Sequence, residues 1–159
     1  MRLEPRVFLP VLLTASMAAG PAASGDETTH SHHASSGGPA ETVEAFHQAL
    51  AATDREAVLE LLAEDAVIFE SGGAEMSPDE YAHHHLEADM AFSGATEREI
   101  VDRRVNETGD AAWVLTRTEV RGSFRGRDIA SRGTETMVLA RGEDGWRIAH
   151  IHWSSGPIP

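Results

Sequence analysis

Two stretches of the chain hold residues that could do chemistry, one a histidine and a carboxylate, the other a pair of histidines. The segment YAHHHLEADMAF, residues 81–92, holds three consecutive histidines, and Asp89 stands four positions beyond the last of them. Near the end, WRIAHIHWSS alternates His150 and His152. A helical residue advances about 100°, so with Tyr81 at zero His85 falls at about 40° and Asp89 at about 80°. Tyr81, Ala82, Leu86, Ala88 and Phe92 share that broad apolar face, whereas His83, His84 and Glu87 fall opposite. The triple histidine therefore resolves into one inward residue and two surface ones. Placed i and i+4, His85 and Asp89 can meet, and an imidazole and a carboxylate in an apolar surface are costly unless paired or liganded. In a strand, alternate residues share a face, which projects His150 and His152 together with Trp146, Ile148 and Ser154.

That pattern suits two chemistries. If both histidine groups face one interior, His85, Asp89, His150 and His152 form a nitrogen and oxygen set for a divalent metal. With no cysteine in the chain, zinc and copper(II) lead, followed by nickel and iron(II). Alternatively Asp89 is a general base, oriented by His85, with His150 and His152 donating to a developing oxyanion. Burial against Leu86 and Phe92 would raise its pKa toward that role. The plainer reading is a hydrogen-bonded His85–Asp89 core pair beside a small-molecule pocket. Tyr81 and Trp113 are candidates to touch a ligand there, though each is most simply core. Glu70 shares a strand face with Ala66 and Ile68 and looks toward a pocket mouth. Arg103, Arg117 and Arg121 could grip an anion, but pairing with Glu119 and Glu135 is simpler. His47 reads as a helix-flank residue.

These side chains need elements to position them. ETVEAFHQALAA, from Glu41, places Val43, Phe46 and Leu50 on one helical stripe. Thr53-Asp54-Arg55-Glu56 starts a second helix, REAVLELLAE, with Val58, Leu61 and Leu62 inward. A short strand is expected from Ala66 to Ser71, closed by Gly72-Gly73. Ser77-Pro78-Asp79-Glu80 then caps a third helix, in whose second turn the histidines lie. After Gly94 the period becomes alternating, in EREIVDRRV, AAWVLTRTEVRGSF, IASRGTETMVLAR and WRIAHIHWSS, separated by turn residues. Gly122 and Gly133 mark candidate bulges. The expected fold class is α+β, with three N-terminal helices on a curved antiparallel sheet.

Ahead of this domain, expected over residues 41–157, Arg2 and Arg6 precede an apolar run from Val7 to Ala19, too short to span a membrane. Residues 1–24 read as a secretory signal peptide, with cleavage sites at Gly20-Pro21-Ala22 or Ala22-Ala23-Ser24. Export to the periplasm or the extracellular space is expected. Residues 25–40, GDETTHSHHASSGGPA, read as a disordered tether whose His30, His32 and His33 could capture a metal loosely. The formal net charge is −13, and removing Arg2, Arg6 and Glu4 with the leader brings it to −14. Every basic residue is an arginine. Such acidity argues against nucleic acid and anionic membrane as partners. The plainest reading of the acidity is solubility, and the expected partner is a small molecule or a metal ion.

The element order over residues 41–157 resembles the nuclear transport factor 2-like superfamily, including its SnoaL-like members. The ending Trp146-Arg147-Ile148-Ala149-His150-Ile151-His152-Trp153-Ser154-Ser155-Gly156-Pro157 is similar to the last strand of the calcium/calmodulin-dependent protein kinase II association domain. The resemblance implies a cone with a pocket inside. Because that superfamily holds isomerases, dehydratases, cyclases, hydrolases and assembly modules, it does not fix a function. Three readings stay open: a binding module for a small ligand or metal, an acid/base enzyme using Asp89 and His85, and an oligomerisation module. The exposed face of the last strands, expected to carry Ile151 and Trp153, suggests a homodimer.

Overall fold

The computed structural model describes residues 37–158. The leader and the tether histidines His30, His32 and His33 lie outside these residues. Helix α1 runs Pro39–Ala51, two residues earlier than Glu41, because Pro39 sits in the first turn, where its missing N–H costs nothing. It buries Thr42, Val43, Phe46, Ala49 and Leu50. Asp54 caps α2 (Arg55–Glu60) by accepting from Ala57 N at 3.1 Å. This helix is one turn shorter than the sequence suggests. Leu62 is drawn instead into strand β1 (Leu62–Glu70), where it pairs with Ile148.

Ser71 and Gly72, both with positive φ, turn β1 into the short β2 (Gly73–Glu75). Ser77 caps α3 (Pro78–His84) through Glu80 N at 3.1 Å, and Glu80 in return accepts from Met76 N at 2.7 Å. The third helix is not continuous. At His85 the backbone departs to φ −118° and a separate α4 (Leu86–Ser93) follows. The meander then comprises β3 (Thr96–Thr108), β4 (Ala111–Phe124), β5 (Arg127–Gly142) and β6 (Gly145–Pro157).

One six-stranded sheet takes the order β2-β1-β6-β5-β4-β3. It is mixed rather than purely antiparallel, since β1 lies parallel to β6. That pairing needs a long crossover, which the rest of the chain between them supplies. The sheet is curved and unclosed, with the helices on its inner face. Three cross-strand rows make that face: Ala112, Leu139 and Ile148; Val114, Met137 and Ile151; Thr116, Glu135 and Trp153. The first two rows are fully buried and join Phe46, Tyr81 and Leu86 in the core.

One irregularity decides which residues face the helices. Val138 pairs with His150 but Leu139 pairs with Ile148, so Ala149 is an extra residue in β6. A bulge of this kind reverses the alternation beyond it. Trp146 and Ile148 point inward before it; Ile151 and Trp153 point inward after it. Ile151 and Trp153 are therefore core rather than exposed surface. Gly122 and Gly133 mark close approaches and not bulges. A Cβ on Gly122 would stand 2.8 Å from the Ala95 carbonyl, and one on Gly133 2.7 Å from Thr118 Oγ1. Among the described residues, no helix is long and apolar enough to cross a membrane.

Candidate functional site

Between the helices and the inner face of the sheet lies a cavity of about 590 Å³. Its apolar wall includes Leu50, Phe92, Val120 and Phe124, and two polar clusters interrupt it.

The first cluster comes from α3, α4 and the end of β1. Asp89 lies on the cavity wall, and the buried Tyr81 hydroxyl donates to its Oδ2 at 2.9 Å. Glu70, inner-facing beside Trp153, lines the same wall. Burial pushes Asp89 up to about 6; the Tyr81 hydrogen bond and His85 oppose that rise, while the charges of Glu70 and Glu75 add to it. Glu70 is raised as well, first by burial and then by Glu75, against the pull of His85. Burial together with the Asp89 carboxylate holds the Tyr81 proton firmly on its oxygen. One carboxylate oxygen is thus fixed by a donor that holds its proton.

The second cluster comes from α1, β3, β5 and β6. Glu135 Oε2 accepts from His47 Nε2 and from Trp153 Nε1, each at 2.7 Å. Burial would raise the Glu135 pKa, but those two hydrogen bonds and the charges of His47 and Arg98 bring it down to about 2. Arg98 reaches Glu44 at 3.6 Å and Glu135 at 3.8 Å, and Arg103 reaches Glu44 at 3.2 Å. Burial draws the Arg98 pKa down, against the pull of Glu135 and Glu44.

The expected four-residue metal set does not assemble. His85, at the kink, turns away from Asp89 and pairs with the buried Glu75 of β2, leaving its side chain 53% exposed. His150 and His152 lie beyond the bulge, on the outer face of the sheet, level with Val138 and Thr136. There the His150 ring donates to the Val67 carbonyl at 2.8 Å and packs edge-on against Phe69. No group of three or more His, Asp or Glu among the described residues could hold a metal ion. Trp113 also belongs to the outer face, 39% exposed, opposite Val138. Tyr81 touches the cavity only through Asp89. His83 and His84 are exposed.

Several site residues are absent from the sequence-based set. His47 sits at the edge of the α1 stripe, four residues after Val43. Glu135 alternates with Met137 and Leu139, which places it on their face. Arg103 turns to Glu44 on α1, and Arg121 pairs with Glu119 at 2.8 Å, so neither is free to grip an anion alone. Arg98, the arginine that does line the cavity, falls in the first of the alternating runs.

This arrangement of helices, curved sheet and cavity has relatives. A family model described as a SnoaL-like domain matches residues 40–159. The chain belongs to the SnoaL-like family. Among solved structures, a candidate ketosteroid isomerase of Shewanella frigidimarina is 36% identical, with a TM-score of 0.69 over 72% of this chain and 92% of that one. Two more distant structures share the SnoaL-like fold. A candidate calcium/calmodulin-dependent protein kinase II association domain from Xanthomonas campestris is 20% identical, with a TM-score of 0.65 over 76% of this chain and 86% of that one. The calcium/calmodulin-dependent protein kinase II hub of S. rosetta is 19% identical, with a TM-score of 0.60 over 76% and 98% of the two chains. No curated protein sequence matches the chain.

Proposed function

We propose that this SnoaL-like domain is an acid/base enzyme that shifts a proton along a small, largely apolar ketone. The observation that carries this reading is Asp89: a cavity-wall carboxylate with a pKa of about 6, one of whose oxygens is held by Tyr81. A base of that strength is ionised at neutral pH yet basic enough to take a proton activated by a carbonyl. The likeness to a candidate ketosteroid isomerase supports the same chemistry. Asp89 removes a proton from the carbon between carbonyl and alkene, and the electron pair moves onto the carbonyl oxygen as a dienolate. Glu70 lines the same wall, where burial raises its pKa. The proton returns to the far carbon, giving the conjugated ketone with no net change in atoms.

The test is to incubate the domain with a β,γ-unsaturated steroid ketone and follow enone absorbance. Turnover by the wild-type protein that falls about 10²- to 10⁴-fold in Asp89→Asn supports the assignment. Equal rates in the two proteins exclude Asp89 as the base.

A second reading concerns assembly. Trp113, Leu115 and Phe69 each leave more than a third of their surface open on the outer face of the sheet, beside Val138, His150 and His152. We infer a homodimer through this face, a reading supported by the fold shared with the S. rosetta hub. Sedimentation at several concentrations tests it. Export is likewise inferred, from Arg2, Arg6 and the apolar run Val7–Ala19. A mature mass beginning at residues 23–25 would support it, and an intact Met1 or a chain lacking only Met1 would refute it.

A further inference from the structure

On α1 the apolar stripe Val43, Phe46 and Leu50 enters the core, and the flank beside it, Glu44, His47, Gln48 and Ala51, lines the cavity. Residues three and four apart share a helical face, so His47 sits in the middle of the wall that α1 presents to the ligand space. Its Nε2 bonds Glu135 Oε2 at 2.7 Å, and its side chain stays 13% exposed. Among the described residues, Nδ1 has no hydrogen-bond partner. The buried side-chain atoms without a partner are Arg98 Nη2 and Glu135 Oε1, which face each other 3.8 Å apart within the wall. Nδ1 is not one of them, so it keeps open surface. His47 thus offers the cavity a nitrogen that the protein itself does not use.

The other side of the ring decides what that nitrogen can do. Glu135 Oε2 also accepts from Trp153 Nε1 at 2.7 Å, and an indole nitrogen only donates. The Glu135 carboxyl, depressed to about 2, has no proton of its own to give. His47 Nε2 must then supply the hydrogen of the His47–Glu135 bond, and in the neutral ring Nδ1 is left as a bare acceptor. A ketone, ether or ester oxygen has no hydrogen to offer it. An ammonium would come to rest near Arg98, and an anion near Glu44 and Glu135. A hydroxyl offers a hydrogen without a charge.

We propose that His47, held by Glu135 in the tautomer with a bare Nδ1, binds a hydroxyl group of the molecule that occupies this cavity. The site lies apart from the Asp89 cluster. Glu70 of that cluster and Glu135 flank Trp153 on opposite sides. They are two strand spacings apart, roughly 10 Å across the sheet. A ligand whose ketone lies against Asp89 thus presents its alcohol to His47 from the other end of an apolar body. This site rests on the pocket reading above but does not depend on Asp89 being a catalyst.

Two measurements on the folded protein test this. Long-range nitrogen–hydrogen NMR correlations give the tautomer of the neutral His47 ring, expected to carry its hydrogen on Nε2 and none on Nδ1. Calorimetry then compares two saturated steroid ketones, which cannot isomerise and differ only in a hydroxyl at the end remote from the ketone. The hydroxylated ketone is expected to bind about three- to tenfold tighter, the worth of one neutral hydrogen bond. It should also shift the Nδ1 resonance, which its analogue leaves in place. In His47→Phe, which keeps a ring but removes the acceptor, both ketones should still bind and the preference should vanish. Circular dichroism checks that the variant is folded, and the wild-type ratio and resonance decide the matter if it is not. A neutral ring with its hydrogen on Nδ1 overturns the site and leaves the pocket reading standing. Equal binding of the two ketones by the wild-type protein does the same. A preference that survives in folded His47→Phe also overturns the site. Failure of both ketones to bind overturns the site and the steroid-sized pocket reading together.

Discussion

The Tyr81 hydroxyl donates to Asp89 Oδ2 at 2.9 Å, joining two helices that meet at a kink between them. The phenol is fully buried and the carboxylate borders the cavity, so the bond carries order from the core to the edge of the ligand space. It also sets the strength of the base. Burial raises Asp89, and Tyr81 is the largest of the influences that hold it down.

Replacing Tyr81 by Phe keeps the ring and its packing and removes only the donor. Asp89 should then titrate above about 6. The acid limb of the pH–rate profile is expected to move to higher pH, with the maximal rate on the plateau changed less than in Asp89→Asn. A profile identical to that of the wild-type protein would show that Asp89 is not the group that titrates.

The Asp89 shift also has a thermodynamic sign. Its pKa is raised on folding, from an ordinary 3.8 to about 6, so the folded state holds the proton more tightly than the unfolded chain. The associated stability is fully present below the unfolded pKa and is lost as pH rises through the folded one, an effect of at most about 3 kcal/mol. Asp89→Asn cannot ionise and still offers Tyr81 an acceptor. Its melting temperature should exceed that of the wild-type protein at pH 8 by more than it does at pH 4, as calorimetric scans at the two pH values would show.

Glu135 behaves in the opposite sense. Its pKa is depressed to about 2 in the folded protein, so its contribution is present above the ordinary value of 4.5 and is lost as pH falls toward 2. The effect is roughly 3 kcal/mol in full. Glu135→Gln should be less stable than the wild-type protein at pH 7, and the gap should narrow in acid. Urea midpoints measured from pH 7 down to pH 2.5 test this, and a gap that stays constant with pH would assign the loss to packing instead.

The sequence displays the helices and the meander because their periods differ, and the cap Ser77-Pro78 fixes the start of the third helix. What it shows less plainly is phase. The helical wheel that placed His85 beside Asp89 assumes an unbroken helix, and the departure at His85 rotates that side chain toward Glu75. The alternation that placed His150 and His152 inside assumes an unbroken strand. A cue was present there: the apolar residues Trp146, Ile148, Ile151 and Trp153 are spaced two, three and two, and the odd step marks a bulge. Glu135 was legible by the same logic, sharing the parity of Met137 and Leu139, but as a lone acid on a strand it is more readily read as a surface partner. The Arg98–Glu135 ion pair depends on long-range register between β3, β4 and β5, which no local pattern encodes.

The bulge makes neighbouring residues respond oppositely to the same change. Ile151 is fully buried, and Ile151→Asp places an unpaired charge in the core. It should cost more than about 4 kcal/mol and leave the domain unfolded or molten. His152→Asp lies on the outer face and should leave the protomer folded. Chemical denaturation of the two variants checks this directly. Were His152→Asp the more damaging of the two, the register shift at Ala149 would be wrong.

The outer face supplies the last test. Trp113 and Leu115 lie two apart on β4, and across the sheet they meet Val138 and Thr136, then His150 and His152. Phe69 extends the row on β1, opposite His152. An apolar band of this kind on an acidic protein is the sort of surface that association covers. Placing a charge at its centre, as in Trp113→Arg, introduces two facing cations across a two-fold axis and should convert a dimer into a monomer. Because Trp113 is already 39% exposed, the fold itself should survive, with any loss of stability confined to the shared interface. Analytical ultracentrifugation of the wild-type protein and the variant decides the question. A dimeric wild-type protein and a folded monomeric variant place the interface on this face, whereas a variant that remains dimeric places it elsewhere.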